Sequence, residues 1–269
     1  GNSGDAIADA EADLELIIEG DFLQRPSFRP EPEPERVREA AQILATAQRP
    51  VIVAGGGVTS SGAQREIVEL AEMLSIPVAT SLNAKGAVPE NHRLSVGVVG
   101  SYSRRSANQV VSEADMVVFV GSHTGSQVTL DWTVPAMGTP VIQIDIDPSE
   151  LGRSYPTTAA LQGDAKVSVR RLIEASEPTA DRGTWVDRAR QLVQEWKDEV
   201  EPLANSDDVP IRPERLCTAL TNSLPSDAIL TVDTGHAGIW TGSMVDLKYP
   251  DQSYLRAAGS LGRSEERRV

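Results

Sequence analysis

The sequence predicts an α/β fold, a parallel sheet flanked by helices and followed by a second α/β unit. Three observations carry this. Short β-branched runs alternate with segments whose apolar residues recur every three or four positions. The run Met116-Val117-Val118-Phe119-Val120 has no polar member, as in a parallel strand buried on both faces. Glycines stand directly after two of the runs, at Gly55-Gly56-Gly57 and at Gly121, where a strand must turn into a right-handed crossover.

Taken in order, residues 1–34 are acidic and end in Arg29-Pro30-Glu31-Pro32-Glu33-Pro34, where each proline disfavours helix for its predecessor. This is an extended linker. From Glu35, Val37, Ala40, Ala41 and Leu44 recur at helical spacing until Gln48-Arg49-Pro50, and a strand follows over 51–53. Thr59-Ser60-Ser61 can cap a helix whose apolar face is Ile67, Leu70, Ala71 and Leu74. A strand over 76–80 precedes an aperiodic loop through Asn83, Lys85, Gly86, Pro89 and Asn91. A helix over 103–113 leads into the strand at 116–120, and after Gly138-Thr139-Pro140 comes another at 141–146. A helix over 166–175 closes a first domain of residues 35–178.

Beyond Ser176-Glu177-Pro178, Val186, Ala189, Val193, Trp196 and Val200 trace one long amphipathic helix, and Leu216, Ala219 and Leu220 a second. A strand at 228–232, a helix at 237–245 and a strand at 254–256 resume the alternation over a second unit of residues 179–262. Residues 263–269 are polar and without pattern.

Composition narrows the function. At 269 residues and 40% hydrophobic content the chain can bury one large core or two ordinary ones. Its apolar runs are far shorter than the roughly 20 residues of a membrane span, and no basic stretch precedes an apolar core as in a signal peptide. A membrane is therefore not an expected partner, and the cytoplasm is the expected compartment. The net charge of -14, from 39 acidic and 25 basic residues, argues against nucleic acid. Such a carboxylate surplus also suits a protein that works in brine. One cysteine, Cys217, excludes an internal disulfide, and three scattered histidines (His92, His123, His236) make no metal cluster.

Gly55-Gly56-Gly57-Val58-Thr59-Ser60 could offer backbone N–H groups to a phosphate, or could serve a tight turn with close helix packing. Ser60 stands where the dinucleotide fingerprint needs glycine, and no Gly-Lys-Ser/Thr exists for a P-loop. Gly121-Ser122-His123-Thr124-Gly125-Ser126 follows the central strand in the same way, and Asp145 and Asp147 end the next. Open α/β sheets bind ligands outside such carboxyl ends, so three loops point to one crevice. An aspartate there can hold ribose hydroxyls, although Asp147-Pro148-Ser149-Glu150 also makes an ordinary helix start. His123 has no nucleophile in a local motif beside it and is read as a ligand or water contact. Cys217, between Leu216 and Leu220, is read as a buried inert thiol, and Trp185 and Trp196 as packing residues.

Four segments in order carry a family resemblance: Arg49-Pro-Val-Ile-Val-Ala-Gly-Gly-Gly57, Ile76-Pro-Val-Ala-Thr-Ser-Leu-Asn-Ala-Lys-Gly86, Ala114-Asp-Met-Val-Val-Phe-Val-Gly121 and Ile144-Asp-Ile-Asp-Pro-Ser-Glu-Leu-Gly152. They resemble the Rossmann-like central domain of thiamine diphosphate-dependent enzymes, in particular acetolactate synthase large subunits. Asp227-Ala-Ile-Leu-Thr-Val-Asp-Thr-Gly235 and Ala258-Gly-Ser-Leu-Gly262 resemble the opening of the diphosphate-binding domain. The resemblance implies an FAD or ADP crevice lined by Gly55, Gly56, Gly57, Thr80, Ser81, Leu82, Gly100, Gly121, Asp145 and Asp147, with His123 where flavin-binding members place an arginine. It places Gly235 and His236 near the tail of thiamine diphosphate, and Gly259, Ser260 and Leu261 near its pyrimidine ring.

The family also implies 2-oxo acid substrates, a homo-oligomer, a glutamate from a preceding domain, and magnesium held through Gly-Asp-Gly. Here the Gly-Asp pairs are Gly4-Asp5-Ala6, Gly20-Asp21-Phe22 and Gly163-Asp164-Ala165, none followed by glycine. The expectation is a fragment of a carboligase or 2-oxo acid decarboxylase, inactive alone, with an incomplete second α/β unit and neither catalytic nor metal-binding residues. The alternatives are a non-catalytic module for FAD, ADP or NAD, and a truncated remnant.

Overall fold

The computed structural model describes residues 17–23, 26–178 and 182–261, with the side chains of Asp21 and of residues 257–261 left aside. The patternless tail at 263–269 and the Gly4-Asp5 pair lie outside the described residues. Six parallel strands, β1 (Pro50–Ala54), β2 (Val78–Thr80), β3 (Ser95–Val98), β4 (Met116–Val120), β5 (Val141–Asp145) and β6 (Ala159–Gln162), form one sheet in the order β3-β2-β1-β4-β5-β6. Every residue of β1, β4 and β5 is buried. Alternation along them explains why both faces are apolar. Ile52, Val118 and Ile142 face one core, and Val51, Val53, Val117, Phe119 and Val141 the other.

Helices α1 (Pro34–Thr46), α3 (Gln64–Leu74) and α6 (Ala165–Ala175) cover the first face, while α4 (Arg105–Glu113) and α7 (Gly183–Ala204) cover the second. Proline in the first turn starts α1, where its missing N–H costs nothing. Asp164 caps α6 by accepting from the Val167 N–H at 3.2 Å. Trp185 and Trp196 of α7 are buried, and the Trp185 indole donates to the Pro50 carbonyl at 2.8 Å.

Three local expectations are corrected. The helix read as capped by Thr59-Ser60-Ser61 is two helices: a short α2 (Gly56–Ser61) begins directly at the glycines and ends at Gly62 in left-handed backbone (φ 65°), and α3 follows. Strands β3 and β6 escaped a reading based on apolar runs. Both are four-residue edge strands, Ser-Val-Gly-Val, whose valines are split by glycine, and Ala-Ala-Leu-Gln, which has no β-branched residue, so neither shows a run to detect. No helix starts at Asp147; its carboxylate closes a turn, accepting from the Ser149 N–H (2.9 Å) and hydroxyl (2.7 Å).

After α7 and α8 (Pro213–Ser223), strands β7 (Ile229–Thr234) and β8 (Ser253–Leu261) pair in parallel, with α9 (His236–Met244) as the crossover between them. Their inner residues Leu230, Val232 and Tyr254 pack with Cys217, Val245 and Leu247, and with Leu82 and Val98 from the first sheet's loops and edge. A buried charge cluster joins the two units. Arg104 donates to the Ser243 carbonyl (2.7 Å) and to Asp246 Oδ1 (2.5 Å) and lies 3.3 Å from Glu90 Oε1. Glu90 in turn accepts from Lys85 Nζ at 2.6 and 2.8 Å and from the Leu247 N–H at 2.7 Å. Among the described residues no helix is long and apolar enough to cross a membrane.

Candidate functional site

The strand order reverses between β1 and β4, so the crossovers leaving them diverge and open a crevice at the carboxyl ends of the sheet. A cleft of about 710 Å³ lies there, within the usual range for a small-molecule site. Its floor is the meeting of two glycine turns. A β-carbon at Gly55 would run into the Gly121 carbonyl, and one at Gly57 would stand 2.7 Å from the Gly121 Cα. The backbone amides are committed as well: Gly55 donates to the Val120 carbonyl (2.8 Å), Gly57 to Gly121 (2.9 Å) and Val58 to Gly55 (3.0 Å). These contacts and bonds pack the two turns against each other.

Around this floor stand Ser81, Leu82 and Asn83 after β2, residues 122–128 after β4, and Asp145 at the end of β5. Asp145 Oδ1 accepts from the Asp147 N–H at 3.0 Å, which holds the buried carboxylate at the rim. The linker closes one side. Arg29 donates to Asp164 Oδ1 (2.9 Å) and to the Ser61 hydroxyl (3.0 Å), while that hydroxyl donates to Asp164 Oδ2 (2.7 Å). The opposite side is formed by Tyr102 and by Arg256 of β8, whose guanidinium lies 5.6 Å from the Tyr102 ring centroid.

The sequence pattern of the thiamine pyrophosphate enzyme central domain matches residues 37–172, the stretch that builds the six-stranded sheet. The chain belongs to the thiamine pyrophosphate enzyme family. Its relatives include the probable acetolactate synthase large subunits of Methanocaldococcus jannaschii, 35% identical over 95% of this chain and 44% of that protein, and of Methanococcus aeolicus, 32% identical over 85% and 40%. The acetolactate synthase large subunit of Corynebacterium glutamicum is 29% identical over 96% of this chain and 42% of its own length. The chain thus spans less than half the length of these relatives.

In this member of the thiamine pyrophosphate enzyme family, the residues marked from sequence fall into four groups. Gly56, Gly57, Ser81, Leu82, Gly121, His123 and Asp145 line the cleft. Gly55 and Gly100 support it from behind, Gly100 packed so closely on the Gln127 carbonyl that no side chain fits, and Thr80 is buried in β2. Asp147 is exposed in its turn, with its carboxyl held below the usual range first by the Ser149 hydroxyl and then by the Ser149 N–H. Gly235 and His236 start α9 and do not themselves line the cleft, and Gly259, Ser260 and Leu261 are placed by their backbone in β8.

The described residues offer no ready-made cluster of metal ligands. No group of three His, Cys, Asp or Glu among them could hold a metal ion. Asp164, of the pair Gly163-Asp164, is consumed by Arg29, Ser61 and the α6 cap. Sequence reasoning missed Arg256, Tyr102 and Asp164 as cleft residues. The signal for Arg256 was present as a single charge in the apolar strand Tyr254-Leu255-Arg256-Ala257.

Proposed function

We propose that this chain supplies the central domain and the opening of the diphosphate-binding domain of a thiamine diphosphate-dependent carboligase or 2-oxo acid decarboxylase of acetolactate synthase type, and that its cleft receives the adenosine diphosphate portion of FAD or ADP. The carrying observation is the cleft at the β1/β4 switch point, in a chain whose sheet-forming residues match this family. The names of the acetolactate synthase relatives support the activity, and in this reading 2-oxo acids are its substrates. In this reading Asp145 accepts from ribose hydroxyls, Leu82 and Tyr102 provide apolar walls for a ring, and no described residue carries the acyl chemistry. Further copies of the chain are its proposed protein partners.

Calorimetric titration with FAD, ADP and thiamine diphosphate plus magnesium tests the reading. Saturable FAD or ADP binding, with thiamine diphosphate silent, is the expected result. Tight magnesium-dependent thiamine diphosphate binding without any nucleotide binding would overturn it.

A further inference from the structure

We propose that Arg256 is the anion anchor of the cleft, and that a nucleotide's diphosphate bound to it ties the second unit to the first. The proposal rests on the cleft being a nucleotide site. Phosphate groups entering there meet a glycine turn whose amides at positions 55, 57 and 58 are already bonded to carbonyls. None of these amides brings a full positive charge. Among the described residues Asp145 and Asp164 are the acidic groups lining the cleft, and the second is neutralised by Arg29. Among the described residues Arg256 is the one arginine that lines the cleft, and no lysine lines it.

Its setting is that of a held but unsatisfied cation. The stem packs against α9, where a β-carbon on Gly238 would meet Arg256 Cδ at 3.3 Å, and the guanidinium rides on Tyr102. Nε is buried without a hydrogen-bond partner, a state that costs free energy until an acceptor arrives. No carboxylate among the described residues pairs with it. The planar fork of a guanidinium matches a phosphate bidentately, which a stacked but otherwise unpaired arginine is preorganised to do. Arg256 comes from β8, opposite Val232 of β7, whereas the glycine turns come from β1 and β4. One ligand touching both would bridge the two sheets.

The test is titration of the full 269-residue chain and its Arg256→Gln and Arg256→Lys variants with ADP and with adenosine. The expected result is ADP binding at least tenfold weaker in Arg256→Gln, partly restored in Arg256→Lys, and adenosine binding within twofold throughout. ADP binding to the wild type should also weaken with added salt while adenosine binding does not, a readout that needs no variant to fold. Equal ADP affinity in wild type and Arg256→Gln would overturn the anchor and leave the cleft reading standing. Parallel loss of ADP and adenosine would reduce Arg256 to a packing residue and overturn it too. No nucleotide binding to the wild type would overturn both readings at once.

Discussion

The two sheets of this molecule are made of similar strands and meet different fates. In β4 and β5 every side chain is buried, because α1, α3 and α6 close one face and α4 and α7 the other. Among the described side chains of β7 and β8 one face alone is covered: Leu230, Val232 and Tyr254 turn inward, while Ile229 is 64% and Leu255 53% exposed. Even the covered face borrows Leu82 and Val98 from the first unit. A two-stranded sheet is marginal in water by itself. The difference teaches that the first sheet is stabilised by its own two cores, and the second by being attached to the first through an apolar seam and the Arg104 cluster.

The contrast should be most visible on truncating a doubly buried residue. Phe119, 1% exposed and stacked on Tyr155, should cost about 3–5 kcal/mol as Phe119→Ala, and urea unfolding should report loss of both units together. A second unit that outlives the first would break the account. Arg104→Ala strikes the attachment. It leaves Glu90 and Asp246 short of a buried partner, at about 3 kcal/mol, and should loosen the second unit while sparing the first.

That effect has a defined pH range. Burial opposes ionisation of Asp246, yet Arg104 and Lys85 more than offset it and hold the carboxyl below its ordinary value of 3.8. A carboxyl lowered in the folded state contributes stability above the ordinary value and loses it as pH falls through the folded one. The Arg104→Ala deficit should therefore be the same at pH 5 and pH 7 and shrink below 3.8, as denaturant titrations across that range would report. Lys85 works the other way: burial pulls its amine below the usual value against the pull of Glu90, so its cost is relieved as pH rises toward 10.5.

Cys217 sharpens the comparison from within the second unit. Burial, then the nearby Glu214, push its thiol up to about 11, so thiol reagents at pH 8 should label it only through opening of that unit, faster in Arg104→Ala than in wild type. Labelling at the rate of a free thiol would mean the seam around Cys217 is not formed. Smallest of all, Leu255→Thr on the open face should change stability by no more than about 0.5 kcal/mol. A loss of 2 kcal/mol or more in a melting experiment would show that face to be covered.

Much of the first sheet was legible in the sequence because a strand buried on both faces leaves an uninterrupted apolar run. The predicted strand at 116–120 coincides with β4, and that at 141–146 with β5 to within one residue. Edge strands leave no such trace, which is why β3, with Gly97 at a register shift, and β6 were missed. The glycine turns were located correctly, but whether their amides face a ligand or a neighbouring carbonyl depends on how β1 and β4 sit side by side. No local pattern encodes that. Arg256 was hidden for the same reason: it lies 135 residues beyond Gly121 in sequence, and the packing of α9 on β7 and β8 brings it to the same cleft.

Native-state hydrogen exchange on the full chain, with and without ADP, tests the account most directly. Amides of β4 and β5 should exchange at the global unfolding limit, and those of β7 much faster, with ADP slowing β7 and β8 selectively. Uniform protection of both sheets without ligand, or slowing by ADP confined to the first sheet, would contradict the picture of one self-supporting sheet holding a second across a nucleotide cleft.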